Sequence, residues 1–261
     1  MINFRCSMVD GENNPIISDD NIDKFAEILL NDYKQELLKE PGPINYLHFL
    51  ESYLGANIEI MDIYYEDNPI WGVTSFNDGE RLEVFDRKRK CIKWNKLKKR
   101  TIVLDNYVMQ KGREGLALFT GLHEAGHLWL HSGVYTRPTG QMSLFGEPKK
   151  RKVVCCRKGD IVNFGKGSGY RTAKEWREHH ANYFAAAVAM PKSTFVPFVK
   201  KMIAVQDFGE DLTSNTFALF FTEYLPKIIS DAYGVSKQAA YVRLCKFGFD
   251  RLEKKSQLAL F

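Results

Sequence analysis

The run GREGLALFTGLHEAGHLWLH, residues 112–131, constrains the fold more than any other part of the chain. Its apolar residues are spaced for burial on a core, so it reads as one long helix, and Gly133 suits its end. Within that helix stand His123, Glu124, His127 and His131. Two readings follow. The histidines pack and hydrogen-bond inside the core, or they hold a metal ion.

His123 and His127 are four residues apart, an offset of about 40° and a rise of about 6 Å on a helix, so both imidazoles can point at one ion. Glu124 lies about 100° round the helix, too far for a third ligand but able to reach a water beside the metal. That is the logic of HExxH, two ligands and one base. His131 is eight residues from His123, about 12 Å along the axis, so one ion cannot bind both. The HExxHxxGxxH spacing is absent, and His131 is left an orienting or packing role.

A third ligand is expected on the next long helix, EWREHHANYFAAAVAMPK, residues 175–192. Its apolar face uses Ala181, Phe184, Ala185 and Val188, and the small alanines allow close approach to the HExxH helix. Glu178 shares that side, where a carboxylate is costly unless it meets a cation. Glu178 is therefore the expected third zinc ligand. Asn182, one turn later, can hydrogen-bond a ligand histidine and fix its tautomer. Glu175 belongs to a capping box with Thr172, which points to a structural role. His179 and His180 read as structural or partly exposed.

The chain has 261 residues, 44% hydrophobic and 26% charged, as for a globular protein with a substantial core. No apolar run is long enough to span a membrane, and no secretory signal pattern opens the chain. The five cysteines include no CxxC pair, which points to a reducing, cytoplasmic setting. Residues 20–38 have helical periodicity, a short helix follows near YLHFLESYLG, and strand-like text fills residues 57–105. Asn77-Asp78-Gly79 reads as a hairpin turn. Residues 134–171 read as loop, with GKGSG at 165–169 a surface segment, and the last sixty residues as helical. The fold class is thus α+β, helices on a small antiparallel sheet with a helical C-terminal element. The division expected is residues 1–205 as the metal-bearing domain and residues 206–261 as that element and tail.

HEAGH followed by ExxANYFAxxxxMPK resembles the ImmA/IrrE family of metallopeptidases, and LALFTGLHEAGHLWLH, RTIVLDN, VVCCRKGD and YGVSKQAAYVRLCKFGF extend the likeness over roughly residues 20–250. The chain departs from the family pattern in AVAMP and in His180 before the AN pair. The resemblance implies a zincin-like core, zinc held by His123, His127 and Glu178, and Glu124 as general base. It also implies cleavage of a DNA-binding, helix-turn-helix repressor, which derepresses mobile-element or stress genes. Tyr135, Tyr170 and His180 are open choices for an oxyanion donor.

Three features suggest partners. LPKIISDAYGVSKQAAYVRLCKFGF reads as helix, Gly turn, helix, which would suit a DNA-binding regulator with a structural or vestigial metal site, reading bases with Ser236, Lys237, Gln238, Tyr241 and Arg243. Residues 87–100 carry nine basic residues and no acid, and KKRK at 149–152 adds a second run. These would attract nucleic acid, or guard a sheet edge. QLALF, from Gln257 to Phe261, and QMSLF, from Gln141 to Phe145, resemble peptides that bind the replication sliding clamp.

Overall fold

The computed structural model describes residues 2–136, 154–162, 172–206 and 218–249. Its centre is a four-stranded sheet in the order β1-β5-β2-β6: β1 (Asn57–Met61), β2 (Ile70–Ser75), β5 (Thr101–Asp105) and β6 (Val154–Arg157). A separate two-stranded ribbon joins β3 (Glu80–Asp86) to β4 (Cys91–Leu97). Every residue of β2 and β5 is buried, because both faces of the sheet are covered. On one face the ribbon packs Leu82, Val84 and Leu97 against Ile70, Val73 and Val103. The other face carries the main core, into which Trp71, Ile102 and Leu104 project.

That core is built on α3 (Glu114–Leu130). From Ala117 to Leu130 all its residues are buried, as expected of a helix apolar on nearly every side. The sheet lies against one side of α3 and α6 (Ala173–Ala189) against another. α1 (Asp19–Lys34) packs outside α6, and Ser18 caps it by accepting from Asn21 N at 3.3 Å. α2 (Tyr46–His48) runs on into a π-helical turn at Phe49–Tyr53. α4 (Ser132–Tyr135) and α5 (Lys158–Val162) are short, and α7 (Lys192–Val205) follows α6 after Pro191.

The C-terminal helices α8 (Leu225–Tyr233) and α9 (Lys237–Lys246) are joined through Gly234 in the left-handed region at φ 66°, and Ser236 caps α9. Their buried residues, including Leu225, Ile229, Tyr233 and Leu244, belong to the same apolar cluster as α3 and α6. The segments on either side of residue 206 therefore share one core. A buried ion pair reinforces this join: Arg243 Nη2 donates to Asp23 Oδ1 at 2.5 Å, and Tyr183 donates to Asp23 Oδ2 at 2.9 Å.

The α+β class and helical C-terminal part are as read from the sequence; the strand arrangement is not. The sheet is mixed rather than antiparallel, because β1 pairs in parallel with β5, Asn57 opposite Thr101 through Met61 opposite Asp105. Such a pair needs a long crossover, which alternation within either strand cannot reveal. Asn77-Asp78-Gly79 does not close a hairpin. It passes the chain from the four-stranded sheet to the ribbon, where Glu80 accepts from Phe76 N at 3.0 Å and from Asn77 Nδ2 at 2.7 Å. The hairpin turn is instead at residues 87–90, with Lys90 at φ 51°. Finally, residues 134–171 are not all loop. VCCR forms the edge strand β6, with Cys156 opposite Gly72 and Cys155 opposite Val73.

Candidate metal centre

Neighbouring positions on two helices bring the donors together. His123 and His127 lie one turn apart on α3, and Glu178 faces them from α6. Close approach of these helices depends on Gly126. A Cβ there would stand 2.9 Å from Ala181 Cα and 3.2 Å from Ala181 O, so the two backbones meet with no room for a side chain.

His123 Nε2 and His127 Nε2 are 3.0 Å apart, and Glu178 Oε2 is 3.3 Å from the first and 3.4 Å from the second. Two ligands on a tetrahedral ion at zinc distances would be about 3.3 Å apart, so this triangle has the edge lengths of one face of such a site. The donor set also fits: two imidazole nitrogens and one carboxylate oxygen. Glu178 Oε2 is buried and has no hydrogen bond of acceptable geometry among the described residues, as expected of an atom whose partner is a cation rather than a donor.

The outer nitrogens of both imidazoles are engaged elsewhere, which turns the Nε2 atoms inward. His123 Nδ1 lies 2.9 Å from Asn182 Oδ1, an acceptor, so the proton sits on Nδ1 and the Nε2 lone pair is free. His127 Nδ1 lies 3.1 Å from His131 Nδ1. His131 is fully buried, and burial together with His127 and His180 holds its pKa well below the ordinary value. It is therefore neutral, and in the tautomer that leaves its Nδ1 lone pair free it accepts from His127 and frees the His127 Nε2 for an ion. Asn182 and His131 thus orient the two rings, the role that hydrogen-bonded neighbours of metal ligands commonly take.

Glu124 is fully buried on the sheet side of α3. Thr74 Oγ1 donates to its Oε2 at 2.5 Å, and the Cys156 backbone also bonds its carboxylate. Burial drives the Glu124 pKa up to about 7, against the pull of His123 and Thr74. Gly72 makes the space: a Cβ there would stand 2.6 Å from Glu124 Oε1. Burial also opposes ionisation of Glu178, but the two imidazoles outweigh it and hold that carboxyl well below its usual range. For His123, burial pulls the pKa down, yet Glu178 more than offsets this and the net shift is upward. For His127 burial prevails and the shift is downward.

The structure thus places His123, Glu124, His127, Glu178 and Asn182 in one cluster. Glu175 is committed to the capping box, exchanging bonds with Thr172 at 3.2 and 2.9 Å. His179 Nε2 lies 2.6 Å from Asp19 Oδ1, so it ties α6 to α1. His180 is buried, stacked on His131 with centroids 5.8 Å apart, and burial lowers its pKa to about 4. The Tyr135 ring packs on Phe76 at 4.8 Å. Tyr170, the run at 149–152 and both QxxLF-like peptides lie outside the described residues. Of the residues suggested for base reading, Arg243 is 1% exposed and bonded to Asp23, and Lys237 pairs with Glu223.

Sequence reading missed Thr74, Gly72 and the Cys156 backbone. One signal was present: a glycine inside the strand IWGVTS marks a site where something approaches closely. A second group, His123, Glu124 and Cys156, also has its donor atoms within 4.8 Å of one another. Its carboxylate is already engaged by Thr74, so the His123–His127–Glu178 set is the better cation site. Neither a scan against protein-family models nor a search of curated proteins finds a match to this chain.

Proposed function

We propose that this protein is a zinc-dependent endopeptidase in which His123, His127 and Glu178 hold the metal and Glu124 is the general base. The observation that carries the reading is the buried triangle of donor atoms with edges of 3.0 to 3.4 Å, beside a carboxylate poised near neutrality. Bound zinc would supply Lewis acidity, polarising a peptide carbonyl and activating water. The chain's own contribution is orientation and proton transfer. Asn182 and His131 fix the tautomers that leave both Nε2 lone pairs directed inward. Thr74 holds one oxygen of Glu124, and the carboxylate takes the proton of the attacking water and returns it to the leaving amine. Burial raises the Glu124 carboxyl toward neutrality in the metal-free protein, which suits a group that must take up and then return a proton.

The substrate class follows from the likeness to ImmA/IrrE peptidases: a helix-turn-helix repressor, cleaved in the cytoplasm to derepress mobile-element or stress genes. The regulator reading draws less support, because α9 commits Arg243 to the core.

Metal analysis of the wild type beside His123→Ala, Glu178→Ala and Glu124→Gln tests the reading, with cleavage of a peptide library followed by mass spectrometry. The wild type should carry one zinc and cut, the ligand variants should lose the metal, and Glu124→Gln should keep zinc but not cut. Undiminished cleavage by Glu124→Gln, or full zinc occupancy in Glu178→Ala, would overturn it.

A further inference from the structure

The β3–β4 ribbon covers the sheet face opposite α3, and among the described residues only its inner face is packed. Its outer face is organised in cross-strand rows: Arg81 opposite Lys96, Glu83 opposite Trp94, Phe85 opposite Ile92. Tyr64 lies alongside, its amide donating to Glu83 O at 2.9 Å. Trp94 is 60% exposed, Ile92 46% and Phe85 41%. Lysines guarding a sheet edge account for the charge of such a ribbon, but not for a protruding tryptophan at its centre.

The charge is concentrated here. Residues 81–100 hold ten basic side chains against two acidic ones, whereas the whole chain carries only +5, so the remainder is net acidic. Arg87 and Lys93 are paired with Asp62 and Asp86, and Arg100 turns inward to Leu54 O. Lys88, Arg89 and Lys90 at the tip, and Arg81, Lys96 and Lys99 at the base, have no ion pair among the described residues. The result is an aromatic and apolar patch with unpaired cations at both ends, spanning a seven-residue strand of about 24 Å. Beside Trp94 opens a groove of 530 Å³, walled by Tyr64, Tyr65, Arg81 and Arg157 together with the acids Glu66, Asp67 and Glu83, so the phosphates are held at the ribbon's ends and not in this groove.

We propose that this outer face docks single-stranded nucleic acid, with bases stacked on Trp94 and Phe85 and phosphates held by the cations at tip and base. Stacking rings flanked by cations are how sequence-tolerant single-strand binders work. A duplex hides its base faces and would leave Trp94 without a partner. An acidic peptide would use the cations but has no flat π-surface for the ring, and an anionic membrane would take up the rings in its interface but would leave the groove beside Trp94 empty. The surface lies on the sheet face opposite α3 and stands or falls independently of the peptidase reading.

The test uses the full chain and a fluorescently labelled oligothymidylate, with anisotropy read across a salt series. The wild type should bind, with quenching of tryptophan emission, and should prefer the single strand to a duplex of equal length. Trp94→Ala should weaken binding about tenfold, Trp94→Phe should restore most of it. The triple variant Lys88→Ala/Arg89→Ala/Lys90→Ala should reduce the slope of log affinity against log salt by about 2. All these positions are exposed, and circular dichroism melts should show wild-type folding. The proposal is overturned if the duplex binds as tightly as the single strand, or if Trp94→Ala binds like the wild type. Tighter binding to polyglutamate or to phosphatidylserine vesicles than to the oligonucleotide would also overturn it.

Discussion

Gly126→Ala is the most informative single change at the proposed metal centre, because it acts on the spacing of the two helices and on none of the proposed ligands. The added methyl would stand 2.9 Å from Ala181 Cα and 3.2 Å from both Ala181 O and Phe184 Cδ1. Carbon atoms in contact need about 3.5 Å, so α3 and α6 must separate by about 0.6 Å. A metal site tolerates about 0.2 Å in its ligand distances. Because His123 and His127 ride on one helix and Glu178 on the other, the separation falls directly on the triangle. Zinc affinity should drop at least about tenfold, the loss typical of disturbing what positions a metal ligand. The fold should suffer less. Overpacking costs about 1–3 kcal/mol, and the better helix propensity of alanine offsets about 1 kcal/mol. The Tm should therefore fall by no more than about 8 °C. Gly121→Ala is the control on the same helix: its methyl meets the Tyr46 ring at 2.8 Å, away from α6. It should lower stability and leave zinc affinity unchanged. Competition with a chromophoric chelator, run beside thermal melts, measures both quantities. Wild-type zinc affinity in Gly126→Ala would refute the argument that backbone contact between the helices sets the ligand geometry.

Further outcomes are expected. Thr74→Val removes the hydroxyl that donates to Glu124 at 2.5 Å; cleavage should fall while zinc content stays at the wild-type level, and equal loss of metal would contradict the assignment. Arg243→Ala leaves Asp23 buried without its cation, which should cost about 3–5 kcal/mol in urea unfolding; a stable variant would mean that this arginine is free for another role. His180 is held neutral by burial, with its pKa lowered to about 4 from an ordinary 6.5. Below pH 6.5 the unfolded chain takes up a proton that the folded chain refuses, so stability is full above that pH and is lost as pH falls toward 4. The metal-free protein should lose roughly 2 kcal/mol from this group between pH 7 and pH 5, and His180→Phe should flatten that dependence.

Much of the site was legible because its information is local. His123 and His127 are four apart, so any helix at all puts them on one side. Thr172 and Glu175 formed their capping box where the sequence placed it, and Gly234 took the left-handed turn between two helices. Glu178 was reached by a physical argument, a carboxylate on an alanine-lined face, and the structure brings it within 3.4 Å of both imidazoles. What escaped were contacts between segments far apart in the chain. Thr74 and Gly72 meet Glu124 from fifty residues away. Arg243 looked like surface until α9 packed it against Asp23, 220 positions earlier.

Periodicity and capping chemistry in the sequence by themselves determined the helices and the placing of two histidines on a single face with Glu124 about 100° round from His123, because each follows from interactions spanning a few residues. Only the tertiary structure decided that β1 lies parallel to β5, that β6 closes the sheet edge beside Glu124, and that α6 docks with its backbone against Gly126. Those choices depend on which distant segments exclude water together, a property of the assembled core and not of any one stretch of chain.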